Sequence, residues 1–244
     1  MNTGIQCRVK PKDFLAASNN IILLRTLCKF LEYVVKEPEY FDWLNSVGCV
    51  VTPKLRSGSD IRKTLLHFMY TKVIQVHPDI LEMVEKEKNK LEWDKYYWIG
   101  IQIRSGHMKG DEGRNVFLFK DDINMFDMYA INQTEKAKIN QSKPVKWLVT
   151  TDADNVRNHY QEKFPEYYTN LNCTLAHSFR DVQRRERSEG MVCSLLDNYM
   201  LSNVNEAIVT AQSTYGLLAT YRNLNIRKIM VYRGDWNRLH DKSM

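Results

Sequence analysis

From residue 96 onward the chain alternates short, almost wholly apolar runs with longer amphipathic ones, and this alternation limits the fold more than any other feature. Tyr96-Tyr97-Trp98-Ile99-Gly100-Ile101-Gln102-Ile103-Arg104 is dense in aromatic and β-branched residues and stops at Ser105-Gly106, as a strand does. A helical pattern over about 122–138 follows, then a second apolar run, Val145-Lys146-Trp147-Leu148-Val149-Thr150-Thr151. A helix from about 153 to 163 is halted by Phe164-Pro165. Beyond it the patterning predicts a short strand at 171–175, a polar loop over 177–190 and a helix over 191–202. A short strand at 207–209, a helix over 213–221 and a last strand at 228–232 complete the series. Strands that alternate with helices at intervals of about thirty residues form right-handed βαβ units on a mostly parallel sheet. The expected fold is therefore α/β, with a Rossmann-like parallel sheet.

The texture before residue 96 is different. Residues 14–36 carry Leu15, Ile22, Leu23, Leu27, Phe30, Leu31 and Val34 near the spacing of one helix face, and Pro38 follows. A second helix is predicted over 59–71 and a third after Pro78, where Asp79 precedes Ile80, Leu81, Met83 and Val84. The charged tail of that third helix reads as a solvated face. The chain thus divides into a helical segment over 1–94 and a Rossmann-like domain over 95–244, with no internal repeat or low-complexity tract.

Several classes are excluded at once. Hydrophobic residues make up 43% and charged residues 26% of the 244, which removes disordered and collagen-like chains. No stretch approaches the ~20 consecutive apolar residues of a membrane span, and no secretory signal is visible at the N-terminus. The 35 basic residues against 29 acidic give +6, a surplus suited to an anionic ligand but too dispersed to imply nucleic acid. Six histidines lack ligand spacing, so no metal site is expected. The five cysteines, Cys7, Cys28, Cys49, Cys173 and Cys193, stand singly and read as buried or free thiols, with a single bridge as the alternative. Three N-x-[ST] sequons begin at Asn132, Asn140 and Asn172, a weak sign of passage through the secretory pathway. The dinucleotide, P-loop and hydrolase-elbow signatures are all missing.

In an open parallel sheet, ligands bind outside the carboxyl ends of the strands. That rule selects Arg104, Ser105, Gly106 and His107 at the end of the first strand, with Gln102 inside it as a further donor-binding candidate, and Thr150, Thr151 and Asp152 at the end of the second. The strand at 207–209 leads into Thr210-Ala211-Gln212-Ser213-Thr214-Tyr215-Gly216, where small hydroxyl residues open a helix. The N–H groups and positive dipole end of a helix start attract anions, and arginine grips phosphate with a fork that stays charged. Arg104 facing Ser213, Thr214, Tyr215 and Gly216 is a candidate diphosphate clamp. Asp152 is a candidate acceptor for a ribose hydroxyl or a guanine edge, and equally a candidate N-cap for the next helix. The basic run Arg180-Asp181-Val182-Gln183-Arg184-Arg185-Glu186-Arg187 reads as a solvated loop or as the rim of an anion site.

At these residues the sequence resembles the superfamily of GDP-fucose-dependent fucosyltransferases of the α1,2, α1,6 and protein O-linked types, with the texture of the plant-type xyloglucan enzymes. Trp98-Ile99-Gly100-Ile101-Gln102-Ile103-Arg104 resembles the family's first motif, a strand ending in the arginine that contacts the donor. Thr150-Thr151-Asp152 resembles the segment that borders the nucleoside. Asp197-Asn198-Tyr199-Met200-Leu201-Ser202, followed eleven residues on by Ser213-Thr214-Tyr215-Gly216-Leu217-Leu218-Ala219, resembles the last motif. Pro78 and the helix behind it resemble an element that precedes the first motif. The likeness covers roughly residues 65–235. It departs where mammalian-type members carry a second arginine and an acid, here Ser105, Gly106 and His107, and where plant-type members commonly carry an aspartate, here Asn205.

The resemblance implies a GT-B fold with the donor in the C-terminal half, and inverting, metal-independent transfer of fucose from GDP-fucose to a glycan or glycoprotein acceptor. Arg104 is then expected to neutralise the leaving diphosphate, with His107 as a candidate base by position. Ser213, Thr214 and Tyr215 would hold the phosphates, and Asp152 would meet the guanosine. No cofactor and no nucleic-acid partner are expected. The segment before the first motif is expected to be only part of an acceptor-side domain. The location implied is the Golgi or another secretory lumen, and the residues themselves leave the cytoplasm open. The rival reading is a catalytically silent nucleotide-sugar-binding or interaction protein that keeps the donor-domain fold.

Overall fold

The apolar run after residue 96 forms β1, Tyr97–Ile103, the central strand of a five-stranded sheet. The computed structural model describes residues 66, 67, 70, 71, 76–105, 118, 120–171, 184–211 and 213–240. The chain divides into two compact units, Met1–Ile74 and Gln75–Met244, and the second holds every element described below. The helices expected at 14–36 and 59–71 lie outside the described residues, apart from the four isolated positions just given.

The remaining strands are β2 (Val145–Thr151), β3 (Tyr168–Thr169), β4 (Glu206–Thr210) and β5 (Arg227–Val231). Their order is β3-β2-β1-β4-β5 and every neighbouring pair is parallel. The helices are α1 (Pro78–Lys90), α2 (Ile123–Asn140), α3 (Asp154–Lys163), α4 (Arg184–Leu201), α5 (Thr214–Arg222) and α6 (Asp235–His240). The expected Rossmann-like α/β sheet is present.

Side chains of β1 alternate between two cores, which is why both of its faces are apolar. Ile99, Ile101 and Ile103 pack with Trp147 and Val149 of β2 against Phe126 of α2 and Val156 and Tyr160 of α3. On the other face Trp98, Leu148, Ala207 and Val209 meet Val84 of α1, Leu196, Met200 and Leu201 of α4, and Ala219 of α5. Gly100 of β1 lets α4 approach closely, since a Cβ there would stand 2.5 Å from Leu201 Cδ1 and 3.0 Å from Val204 Cγ2. At the amino end of the sheet, Trp98 N–H donates to Asn205 Oδ1 at 2.8 Å and Asn205 N–H to Trp98 O at 2.9 Å. Asn205 therefore ties β1 to the turn before β4, away from the strand ends that carry candidate site residues.

Three elements differ from expectation. The third strand is Tyr168–Thr169, ahead of the run at 171–175, of which only Leu171 is described, outside any strand. Aromatic contacts set this register: Trp147 N–H donates to Tyr167 O at 2.8 Å, and the two rings stack at 4.9 Å between centroids. α4 begins at Arg184, so the later part of the expected loop at 177–190 is helical. Arginine and glutamate favour helix without supplying the apolar stripe that reveals one. α6 was not foreseen; buried Asp122 shapes the turn before it, accepting from Gly234 N–H at 2.9 Å and Trp236 N–H at 3.3 Å. The free-thiol reading is corrected at Cys193, which is disulfide-bonded to a cysteine outside the described residues.

Candidate functional site

The chain leaves β1 toward β2 on one side and later returns to lay β4 on the other. Connections therefore diverge between β1 and β4, and the carboxyl end of that gap is the crevice where such sheets bind ligands. Arg104 follows β1 directly, and Thr210 ends β4. Arg104 N–H donates to Thr210 Oγ1 at 2.9 Å, while the Thr210 hydroxyl donates to Gln102 O at 3.2 Å. Ser213 N–H then donates to Thr210 O at 3.2 Å, which starts the turn into α5. One buried threonine thus joins the arginine's main chain to the helix start. In the sequence it stands just past the strand expected at 207–209; the structure makes it the last residue of β4.

Ser213 stands at the N-cap of α5 with extended backbone, and its hydroxyl makes no capping bond. Its carbonyl accepts from Leu217 N–H at 3.1 Å, so the first turn is formed. Thr214 is exposed beside it and Gly216 is buried. A Cβ on Gly216 would lie 2.3 Å from Gln102 Oε1 and 3.1 Å from Val209 Cβ, so only glycine lets α5 sit this low on the sheet. Tyr215 turns the other way. Its hydroxyl donates to Ser194 O at 2.8 Å and its carbonyl accepts from Asn198 Nδ2 at 2.7 Å, both on α4.

Asp152 comes just after β2, level with Arg104 because Ile103 is paired with Thr151. Its Oδ2 lies 2.8 Å from Arg104 Nη1, and its Oδ1 accepts from Ser105 N–H at 2.9 Å and Ser105 Oγ at 3.2 Å. It does not cap the next helix. That position belongs to Ala153, whose N–H donates to Thr151 Oγ1 at 3.2 Å. The structure therefore gathers Gln102, Arg104, Ser105, Thr151 and Asp152 at the ends of β1 and β2, and Ser213, Thr214 and Gly216 beyond β4. His107, Gly106 and Gln212 lie outside the described residues, as do positions 180–183 of the basic run. Positions 184–187 belong to α4.

No protein-family model matches the sequence, and no curated protein matches it. Among solved structures, an arginine-to-lysine variant of FUT1 from Arabidopsis thaliana in complex with GDP is similar at 16% identity and a TM-score of 0.50. The match covers 82% of this chain and 40% of that one. The sheet and its helices share the fold of the matched part of FUT1. The fucosyltransferase NodZ from Bradyrhizobium is similar at 16% identity and a TM-score of 0.44, over 70% of this chain and 47% of that one. POFUT1 in its apo form is similar at 10% identity and a TM-score of 0.38, over 81% of this chain and 60% of that one. The chain thus spans about half the length of the NodZ structure and less than half of FUT1.

The face of the FUT1-like sheet that carries α4 and α5 buries three polar side chains whose oxygens lack hydrogen-bond partners among the described residues: Gln102 Oε1, Thr150 Oγ1 and Asp197 Oδ1. Gln102 and Thr150 are register partners on β1 and β2. Asp197, on α4, has its carboxyl pushed up to about 7 by burial, against the pull of Arg157. Sequence reading placed Asp197 in a motif without giving it a role. Among the described residues no cluster of three or more His, Cys, Asp or Glu side chains is arranged to hold a metal ion, and no helix is long and apolar enough to cross a membrane.

Proposed function

We propose that this chain binds GDP-fucose at the carboxyl end of its sheet and transfers fucose to a glycan or glycoprotein acceptor. The observation that carries the reading is the position of Arg104 and the α5 start, on either side of the topological switch point and joined through Thr210. An arginine and a helix N-terminus at such a crevice suit a diphosphate. The fold shared with GDP-bound FUT1 supports the same ligand.

In this reading the sheet is the donor half of a GT-B enzyme. The donor domain, expected from residue 95, takes in α1 as well, because Val84 belongs to the sheet's second core, and the residues before Gln75 contribute part of the acceptor side. The acceptor hydroxyl attacks C1 of fucose from the face opposite the diphosphate, and the C1–O bond to the β-phosphate breaks. The leaving charge is met by Arg104, by the hydroxyls of Ser213 and Thr214 and by the N–H groups of the first turn of α5, the Ser213 N–H being held by Thr210. The acceptor proton passes to a base, for which His107 is the candidate, and no metal takes part. Donors fixed in advance on developing negative charge contribute about 3–4 kcal/mol each to such a step. Passage through a secretory compartment, the Golgi in the family resembled, agrees with the disulfide at Cys193.

Calorimetric titration with GDP tests the donor site. The parent chain is expected to bind, and Arg104→Ala to bind at least about tenfold more weakly, the worth of one charge-assisted bond. Equal binding by both, or by neither, contradicts the reading. Radiolabelled GDP-fucose then separates an enzyme from a silent binder, since release or transfer of sugar is expected only of the former.

A further inference from the structure

The two carboxylate oxygens of Asp152 are both committed within the protein, one to Ser105 and the other to Arg104. The side chain is 8% exposed. With two bonds on Oδ1 and an ion pair on Oδ2, this carboxylate is built to serve its neighbours. The N-cap of α3 is Ala153, one residue further on. Among the described residues Arg104 meets partners on both sides of β1. Its main-chain N–H is fixed to Thr210 at the end of β4, and its guanidinium is drawn to Asp152 at the end of β2. Because β1 lies between those strands, the side chain's charge rests on the β2 side of the crevice, and the α5 start stands on the β4 side.

We propose that Asp152 is the internal counter-ion of Arg104, a positioning residue that holds the guanidinium on the β2 side until the phosphate of an anionic ligand displaces it. The proposal rests on the donor-site reading for the ligand's chemistry, but the ion pair stands on the protein alone. Binding is then an exchange of partners. The phosphate takes the arginine, and Asp152 retains Ser105, so Ser105 stays in place while the charge moves. The influence of Asp152 on phosphate affinity runs through Arg104 and not through the nucleoside.

Inorganic pyrophosphate is the probe, titrated into the full chain, Asp152→Asn, Arg104→Ala and the double variant. Asparagine keeps an acceptor for Ser105 and removes the competing charge. Asp152→Asn is expected to bind pyrophosphate at least about threefold tighter, and the gain to vanish in the Arg104→Ala background. Equal or weaker binding by Asp152→Asn overturns the proposal, and so does a gain that survives the loss of Arg104. Guanosine without phosphate should bind both aspartate and asparagine forms alike; weaker binding by Asp152→Asn places the carboxylate on the nucleoside and defeats the idea. A nitrogen-15 spectrum of the Arg104 guanidinium needs no ligand. Slowed rotation about its Nε–Cζ bond is expected in the parent and faster averaging in Asp152→Asn. Should that variant fail to fold, freely averaging signals in the parent alone reject the ion pair. A chain that binds no pyrophosphate yet shows the slowed signals loses the donor-site reading and keeps Asp152 as the partner of Arg104.

Discussion

Asp197 shows how one buried group links the sheet's interior to pH. Burial holds its carboxyl near 7, well above the 3.8 of an exposed aspartate, with Arg157 only partly offsetting the loss of water. Below about pH 4 the proton is bound in both folded and unfolded chains, and none of the site's contribution has been lost. As pH rises toward and through 7 the unfolded chain releases the proton readily, while the folded one must keep it or bury a charge. Stability contributed by this site is therefore fully present in acid and lost by the time the folded group has titrated. Thermal melts of the parent and Asp197→Asn at pH 5 and pH 8 should show the parent losing more stability on the move to pH 8. Parallel losses in both would mean that Asp197 keeps an ordinary affinity for its proton.

At the scale of elements, polar contacts between helix and strand set the packing as firmly as apolar ones. Trp147 of β2 is fully buried, and its Nε1–H donates to Thr134 Oγ1 of α2 at 2.8 Å, with Thr134 only 2% exposed. Trp147→Phe removes the donor and strands that hydroxyl, a loss of about 1–3 kcal/mol. In a chain of this size that lowers the melting temperature by roughly 2–4 °C for each kcal/mol. Adding Thr134→Val should return part of the loss, because both partners are then apolar and nothing buried lacks a bond. Urea titration of the single and double variants gives the comparison, and a double variant no better than Trp147→Phe would assign the cost to ring packing instead. The same tryptophan sets where β3 lies. Its ring and N–H select Tyr167 and Tyr168 as neighbours, a pairing across the sheet that no local pattern announces.

For the whole molecule, the division after Ile74 makes a prediction about independence. Residues 75–244 contain all five strands and both cores, so this fragment should fold without the preceding residues. A single cooperative melt, followed by the emission of the buried Trp98 and Trp147, is the expected result. A fragment with red-shifted emission and no transition would show that the earlier residues are needed to complete it. The order of strands and helices was legible because central parallel strands are buried on both faces and so are written as unbroken apolar runs. The short strand at the edge and the charged first half of α4 were not legible, since neither carries the periodicity that a buried face imposes. In the candidate site, strand ends pointed to Arg104, Asp152 and the hydroxyl-rich helix start by position alone. That Asp152 holds the arginine, that Tyr215 faces α4 and that Thr210 joins β1 to α5 follow from which strands lie side by side. The linear chain determines which runs become the central strands and, within a residue or so, where they end, because burial dictates composition locally. Only the packed sheet decides which of those ends meet, because strands far apart in sequence become neighbours through hydrogen bonds that depend on backbone register and not on side-chain identity.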